Sequence, residues 1–198
     1  MVRSCAVPLI QLHSPAHLKS NTMHPVEADI REWSQNFLEV PSEALGGLAP
    51  CPYARTAFLN DKVKFSINTG VGGLSLEVCA FKNNDYDIVI WADETLPEVG
   101  YLDGFCDAIN RTMAASDMHL MMFHPDYPAD EAGLDFLVDH SVTAEDSELA
   151  YCMVFVQNLS KVDDASVCLE KTGYYEYFPE DVHNELVLER RKLRYGNG

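Results

Sequence analysis

Two short segments bring together residue types that do chemistry. In Ala49-Pro-Cys-Pro-Tyr-Ala-Arg, the proline after Cys51 predicts the first position of a short helix, which would leave Cys51 at the N-cap. Free backbone N–H groups and the helix dipole lower a thiol pKa at that position, so Cys51 is a candidate nucleophile or metal ligand. Arg55 follows about one turn later and could reinforce a thiolate or clamp an anionic group of a substrate, with Tyr53 as a hydrogen-bond donor. The competing reading is a buried cysteine in a tight turn, with Arg55 in a surface ion pair.

The second segment is Met121-Met-Phe-His-Pro-Asp-Tyr. His124 stands where an apolar strand meets a proline, and strand ends leading into loops often carry catalytic groups in α/β folds. It could act as a general base, as a partner of the Cys51 thiol or as a metal ligand. Asp126 would orient it and Tyr127 would donate to substrate. The competing reading is a histidine hydrogen-bonded within a turn.

Oxygen ligands continue beyond this segment at Asp130 and Glu131, then Asp135, Asp139 and His140. His124, Asp126, Asp130 and Glu131 form the candidate metal set. Carboxylates suit Mg²⁺ or Mn²⁺, and a histidine among them suits iron or zinc, although the spacing matches no standard metal motif. A P-loop, a dinucleotide fingerprint, a serine elbow and H-E-x-x-H are all missing, and Gly70-Val-Gly-Gly is too short for a phosphate cradle.

The elements that must position these residues follow from periodicity. Val26, Ile30, Trp33 and Phe37 recur at helical spacing, which predicts an amphipathic helix from Pro25 to near Val40. A Gly- and Pro-containing loop from Pro41 to Pro52 then delivers Cys51. Lys62 to Asn68 alternates as a strand, and Thr69 to Gly73 reads as a glycine-rich turn. Tyr86 to Ala92 is a buried strand, and Val99, Leu102, Phe105, Cys106, Ile109 and Met113 stripe a helix running to Asp117. His119 to Phe123 and Tyr151 to Val156 are further strands, with a short helix expected around Leu134 to His140. Helices from about Val162 to Lys171 and Pro179 to Arg194 close the chain, the last ending in a basic cluster as the helix dipole favours. Tyr174, Tyr175, Tyr177 and Phe178, after Gly173, read as core packing. About four strands with about four helices predict an α+β or α/β two-layer sandwich with helices on one face, for which a ferredoxin-like arrangement is one candidate.

Composition bounds the rest. A chain of 198 residues that is 47% hydrophobic suits one domain. Residues 1–24, with Arg3 and Lys19 but no acidic residue, read as a flexible arm ahead of a domain over 25–198. A net charge of −17 disfavours nucleic acid and anionic membranes as partners. It also leaves open a non-enzymatic binding or regulatory role toward a basic partner. The apolar runs fall short of the roughly 18 residues that span a bilayer. Six cysteines without a C-x-x-C pair or a signal-peptide pattern imply a reducing, cytoplasmic setting.

The order of an amphipathic helix with Trp33, Cys51-Pro-Tyr-Ala, Phe123-His-Pro-Asp-Tyr and a Tyr151-Cys-Met strand resembles a family of small bacterial proteins of unknown function. That family carries Cys-Pro-Phe-Ala and Phe-His-Pro-x-Tyr signatures. The likeness covers roughly residues 30–195. Where the family has Asn-Arg-Ser-Pro-Tyr-Pro, this chain has Ser147-Glu-Leu-Ala-Tyr-Cys, which keeps the Tyr and lacks the Arg. The resemblance implies one site from Cys51, Arg55, His124 and Tyr127. The resulting expectation is a small-molecule enzyme with Cys51 and His124 in catalysis and Arg55 on an anionic substrate. A metal-dependent enzyme at His124 is the alternative.

Overall fold

The computed structural model describes residues 23–83, 85–126 and 151–196. Over these residues the fold is α+β, built on a mixed four-stranded sheet in the order β1-β2-β4-β3. The strands are β1 (Val63–Ile67), β2 (Ile88–Asp93), β3 (His119–Phe123) and β4 (Cys152–Gln157). β1 and β2 pair in parallel, while β4 lies antiparallel between β2 and β3. The first three strands therefore all run one way. This order and direction are not those of a ferredoxin-like βαββαβ sheet.

Parallel neighbours need crossovers, and helices supply them. α3 (Gly70–Ala80) links β1 to β2, and α4 (Val99–Met113) links β2 to β3. Both bury their apolar stripes on one face of the sheet: Leu74 and Val78 from α3 and Leu102 and Cys106 from α4 meet Val89, Trp91 and Val154. Each fully buried aliphatic side chain of this layer contributes about 1.5–3 kcal/mol.

The side chains that alternate with these point to the opposite face. There Ile90, Ala92 and Met153 pack under Val26 and Ile30 of α1 (Pro25–Trp33), with Phe65, Phe123 and Phe155 around them. Helices therefore flank both faces, where the sequence patterning suggested one. The reason lies in β2 and β4, whose near-continuous apolar runs leave neither face fit for water. His24, inside the expected N-terminal arm, belongs to this domain because its Nδ1 accepts the Val26 N–H at the start of α1. Residues 1–22 of that arm lie outside the described residues, as does the helix expected at 134–140.

Two elements depart from the sequence expectations. The helix expected to reach Val40 turns π-helical over Ser34–Leu38, where the Glu39 N–H bonds back to the Ser34 carbonyl. The Gly70-Val-Gly-Gly stretch is the first turn of α3 instead of a loop. Gly70 has φ 64°, and a Cβ on Gly73 would collide with the Thr69 hydroxyl. That hydroxyl accepts the Trp91 indole N–H at 3.1 Å, so Gly73 makes room for a buried contact. The Asp93 carboxylate satisfies the exposed N–H of Gly70 at 2.7 Å.

After β4, α5 (Leu159–Glu170) is capped by Asp117, whose carboxylate accepts from the Ser160 N–H and hydroxyl. The C-terminal helices α6 (Glu180–His183) and α7 (Arg190–Tyr195), joined by a π-helical stretch over Asn184–Glu189, follow it. Arg191 and Arg194 of α7 both bond the fully buried Asp163 of α5. Arg191, Lys192 and Arg194 of the terminal basic cluster are committed to ion pairs within the fold, while Arg190 donates to the Ser166 hydroxyl. No helix among the described residues is long and apolar enough to cross a membrane.

Candidate functional site

α1 and its π turn, α2 (Ala54–Leu59) and α5 stand around the sheet face that carries Ile90, Phe123 and Phe155, and they leave a groove between them. Its cavity volume is about 680 Å³. Trp33 and Phe37 line it from the α1 side, and Val162, Ala165 and Cys168 from α5, with Phe178 and Leu186 beyond. The aromatic side chains hold one another in place: the Trp33 ring meets Phe123 edge-on at 6.0 Å, and Phe123 tilts against Phe155 at 4.9 Å. Such contacts contribute about 0.5–1.5 kcal/mol each beyond their burial.

Polar side chains gather at one end. Asp87, Gln157, Asn158 and Lys161 line the groove where β2 begins and β4 ends. From Phe123, which pairs with Met153, to Gln157 the sheet advances four residues along β4, roughly 13 Å at the usual rise per residue.

Cys51 lines this groove together with Tyr53. It does not cap a helix: α2 starts at Ala54 with Tyr53 as its N-cap. The Cys51 N–H instead donates to the Leu38 carbonyl at 2.9 Å. The neighbouring Pro50 carbonyl is held by the buried Tyr174 hydroxyl at 2.6 Å, which seats the loop against the C-terminal part of the chain. Burial pushes the Cys51 thiol above its ordinary pKa, and the hydrogen bonds from Tyr53 and Ala54 do not offset it. The expected activation of the thiol is therefore reversed, because desolvation outweighs the N–H groups of Tyr53 and Ala54 at the start of α2. Burial and the nearby Cys168 and Cys51 likewise raise the Tyr53 hydroxyl.

His124 is buried at 8% exposure, but it does not line the groove. The alternation of β3 continues past Phe123, so the imidazole turns to the face covered by α4. There Nε2 lies 2.9 Å from the Pro97 carbonyl, and Nδ1 accepts the Asp126 N–H at 3.1 Å. Both ring nitrogens are thus occupied by backbone, with the proton on Nε2. Asp126 reaches Nδ1 only at 4.0 Å through its carboxylate, which is 75% exposed. It orients the ring through its N–H and not through its charge.

Arg55 is exposed and does not line the groove. Tyr127, Asp130 and Glu131, with Asp135, Asp139 and His140, lie outside the described residues. Among the described residues no three His, Cys, Asp or Glu side chains cluster as a metal site.

Sequence reasoning passed over Gln157, Trp33 and the phenylalanines of the groove because each reads as strand end or core. The available signal was the excess of aromatic residues on one sheet face. The expected core packing of the Tyr174 group holds for Tyr174, Tyr175 and Phe178, which pack within 5.0–5.2 Å of one another, whereas Tyr177 is exposed. The likeness to the Cys-Pro-Phe-Ala proteins rests on its two motifs alone. Compared with known proteins, the chain matches no family, no curated protein and no solved structure.

Proposed function

We propose that this chain is a binding protein for an elongated, mainly apolar small molecule that lies in the groove between α1, α2 and α5. The observation that carries this reading is the groove itself, whose volume of about 680 Å³ and largely apolar lining match the usual dimensions and character of small-molecule sites. Burying apolar ligand surface there yields about 25 cal/mol per Å².

The geometry gives less support to the thiol–imidazole enzyme. A nucleophile and its base must come within hydrogen-bond reach, and Cys51 and His124 serve opposite faces of the sheet. Cys51 and Tyr53 take the role of lining groups that fit a ligand by shape. The test is titration of the full chain with Nile red, an uncharged apolar dye. Saturable binding near one dye per chain supports the reading. An unsaturable or undetectable signal overturns it.

A further inference from the structure

Gln157 ends β4 with its side chain on the groove face, following Met153 and Phe155 in alternation. It lines the groove at 7% exposure, and its Nε2 is buried without a hydrogen-bond partner. Unpaired buried amide donors are rare in folded proteins because desolvation is then uncompensated, and a bound molecule is one way to satisfy them.

The charges around this donor narrow the molecule's class. Lys161 is the single cation lining the groove among the described residues, and it is already paired with Asp87. Asp164, the other charged lining group, is held by Arg194, and Asn158 donates to Asp117. The lining thus carries two carboxylates against one ammonium, on a chain of net charge −17. Among these lining groups a carboxylate or phosphate head would meet no unpaired ammonium and would face two carboxylates. A neutral acceptor avoids that cost and still receives the Gln157 N–H.

Resting on the binding reading above, we infer that the ligand carries an uncharged hydrogen-bond acceptor near one end, a carbonyl oxygen of a ketone, ester or amide. It accepts from Gln157 Nε2 while the apolar body lies over Phe155 toward Phe123 and Trp33. The site therefore selects uncharged carbonyl compounds over acids of the same shape, in place of the anionic substrate that Arg55 suggested.

Three molecules of matched outline test this by displacing Nile red from the full chain: 4-acetylbiphenyl, 4-ethylbiphenyl and biphenyl-4-carboxylate. The acetyl compound should bind about 5- to 10-fold more tightly than the ethyl compound, the gain of one neutral hydrogen bond to an otherwise unpaired donor, and more tightly than the carboxylate. In Gln157→Met, which keeps side-chain length and removes the amide, the acetyl and ethyl compounds should bind equally, each displacement being referred to that variant's own Nile red affinity. Equal binding of acetyl and ethyl compounds to the wild type overturns the inference, as does a preference that survives in Gln157→Met. Tightest binding by the carboxylate overturns the uncharged class. The wild-type comparison decides even if the variant fails to fold. Failure of Nile red itself to bind overturns the binding reading, so the two failures are distinguishable.

Discussion

Phe123 and His124 are neighbours in the chain that serve opposite faces of one sheet. Phe123 tilts against Phe155 at 4.9 Å inside the groove, while His124 lies 2.9 Å from the Pro97 carbonyl ahead of α4. One residue of strand alternation separates a groove-facing ring from a scaffold-facing one. His124 thus ties the end of β3 to the loop entering α4, and its replacement is a stability experiment. His124→Ala should cost about 1–3 kcal/mol in urea unfolding, because the Pro97 carbonyl and the Asp126 N–H lose their partner, while Nile red affinity stays within about twofold. Loss of dye binding without loss of stability would return His124 to the groove.

Asp93 makes a comparable tie at the end of β2. It is 1% exposed and accepts from the Gly70 N–H, the Thr95 N–H and the Thr95 hydroxyl. Burial alone would raise its pKa, but these bonds outweigh burial and hold the carboxyl below its ordinary value. Asp93→Ala should destabilise the fold by about 1–3 kcal/mol and loosen the first turn of α3, seen as faster amide exchange there. Unchanged exchange at 70–73 would contradict this.

His119 sets an acid-side slope. Burial, with the Arg190 guanidinium adding to it, lowers the imidazole from 6.5 to about 4. The unfolded chain takes up its proton near 6.5, so stability present above that pH is lost as pH falls toward about 4. Between pH 7 and 5 the urea midpoint should fall, and His119→Gln should reduce that loss by about 1 kcal/mol after allowance for partial exposure. An identical fall in both proteins would contradict the assignment.

How much of this was legible in the sequence depends on how local the signal was. Strand β3 was predicted residue for residue over His119–Phe123, and the α4 stripe from Val99 to Met113 was equally plain, because both are carried by periodicity within the element. The helix at Gly70 was hidden. Three glycines in its first four residues argue against a helix at about 1 kcal/mol each, and only the packing of Leu74 and Val78, with Asp93 on the Gly70 N–H, outweighs that. The start of α2 was misplaced because Pro52 is a good first residue, while the chain turns again at Tyr53 before becoming helical. The groove itself was invisible because Trp33 and Phe123 are 90 positions apart and each reads as ordinary core. A shared site for Cys51 and His124 could be argued from residue type, but strand parity decides the face.

Thiol reactivity gives an independent check on Cys51. Burial pushes Cys106 up to about 12 and Cys152 to about 11, and it raises Cys51 as well, whereas Cys79 and Cys168 are exposed. At pH 7.5 iodoacetamide should label Cys79 and Cys168 first among the described cysteines, as mapped by peptide mass, with Cys51 slower because the thiolate is the reactive form. Labelling of Cys51 ahead of Cys79 would indicate an activated nucleophile and contradict the lining role.

The most direct measurement of the central claim is a pair of tryptophan substitutions read by Nile red titration. Ala165→Trp on α5 fills the groove, while Leu76→Trp places the same ring on exposed α3 against the other face of the sheet. The account predicts that Ala165→Trp weakens dye binding by at least about 20-fold while Leu76→Trp leaves it within about twofold, both proteins remaining folded by circular dichroism. Equal dye affinity in the folded Ala165→Trp protein and the wild type would contradict it.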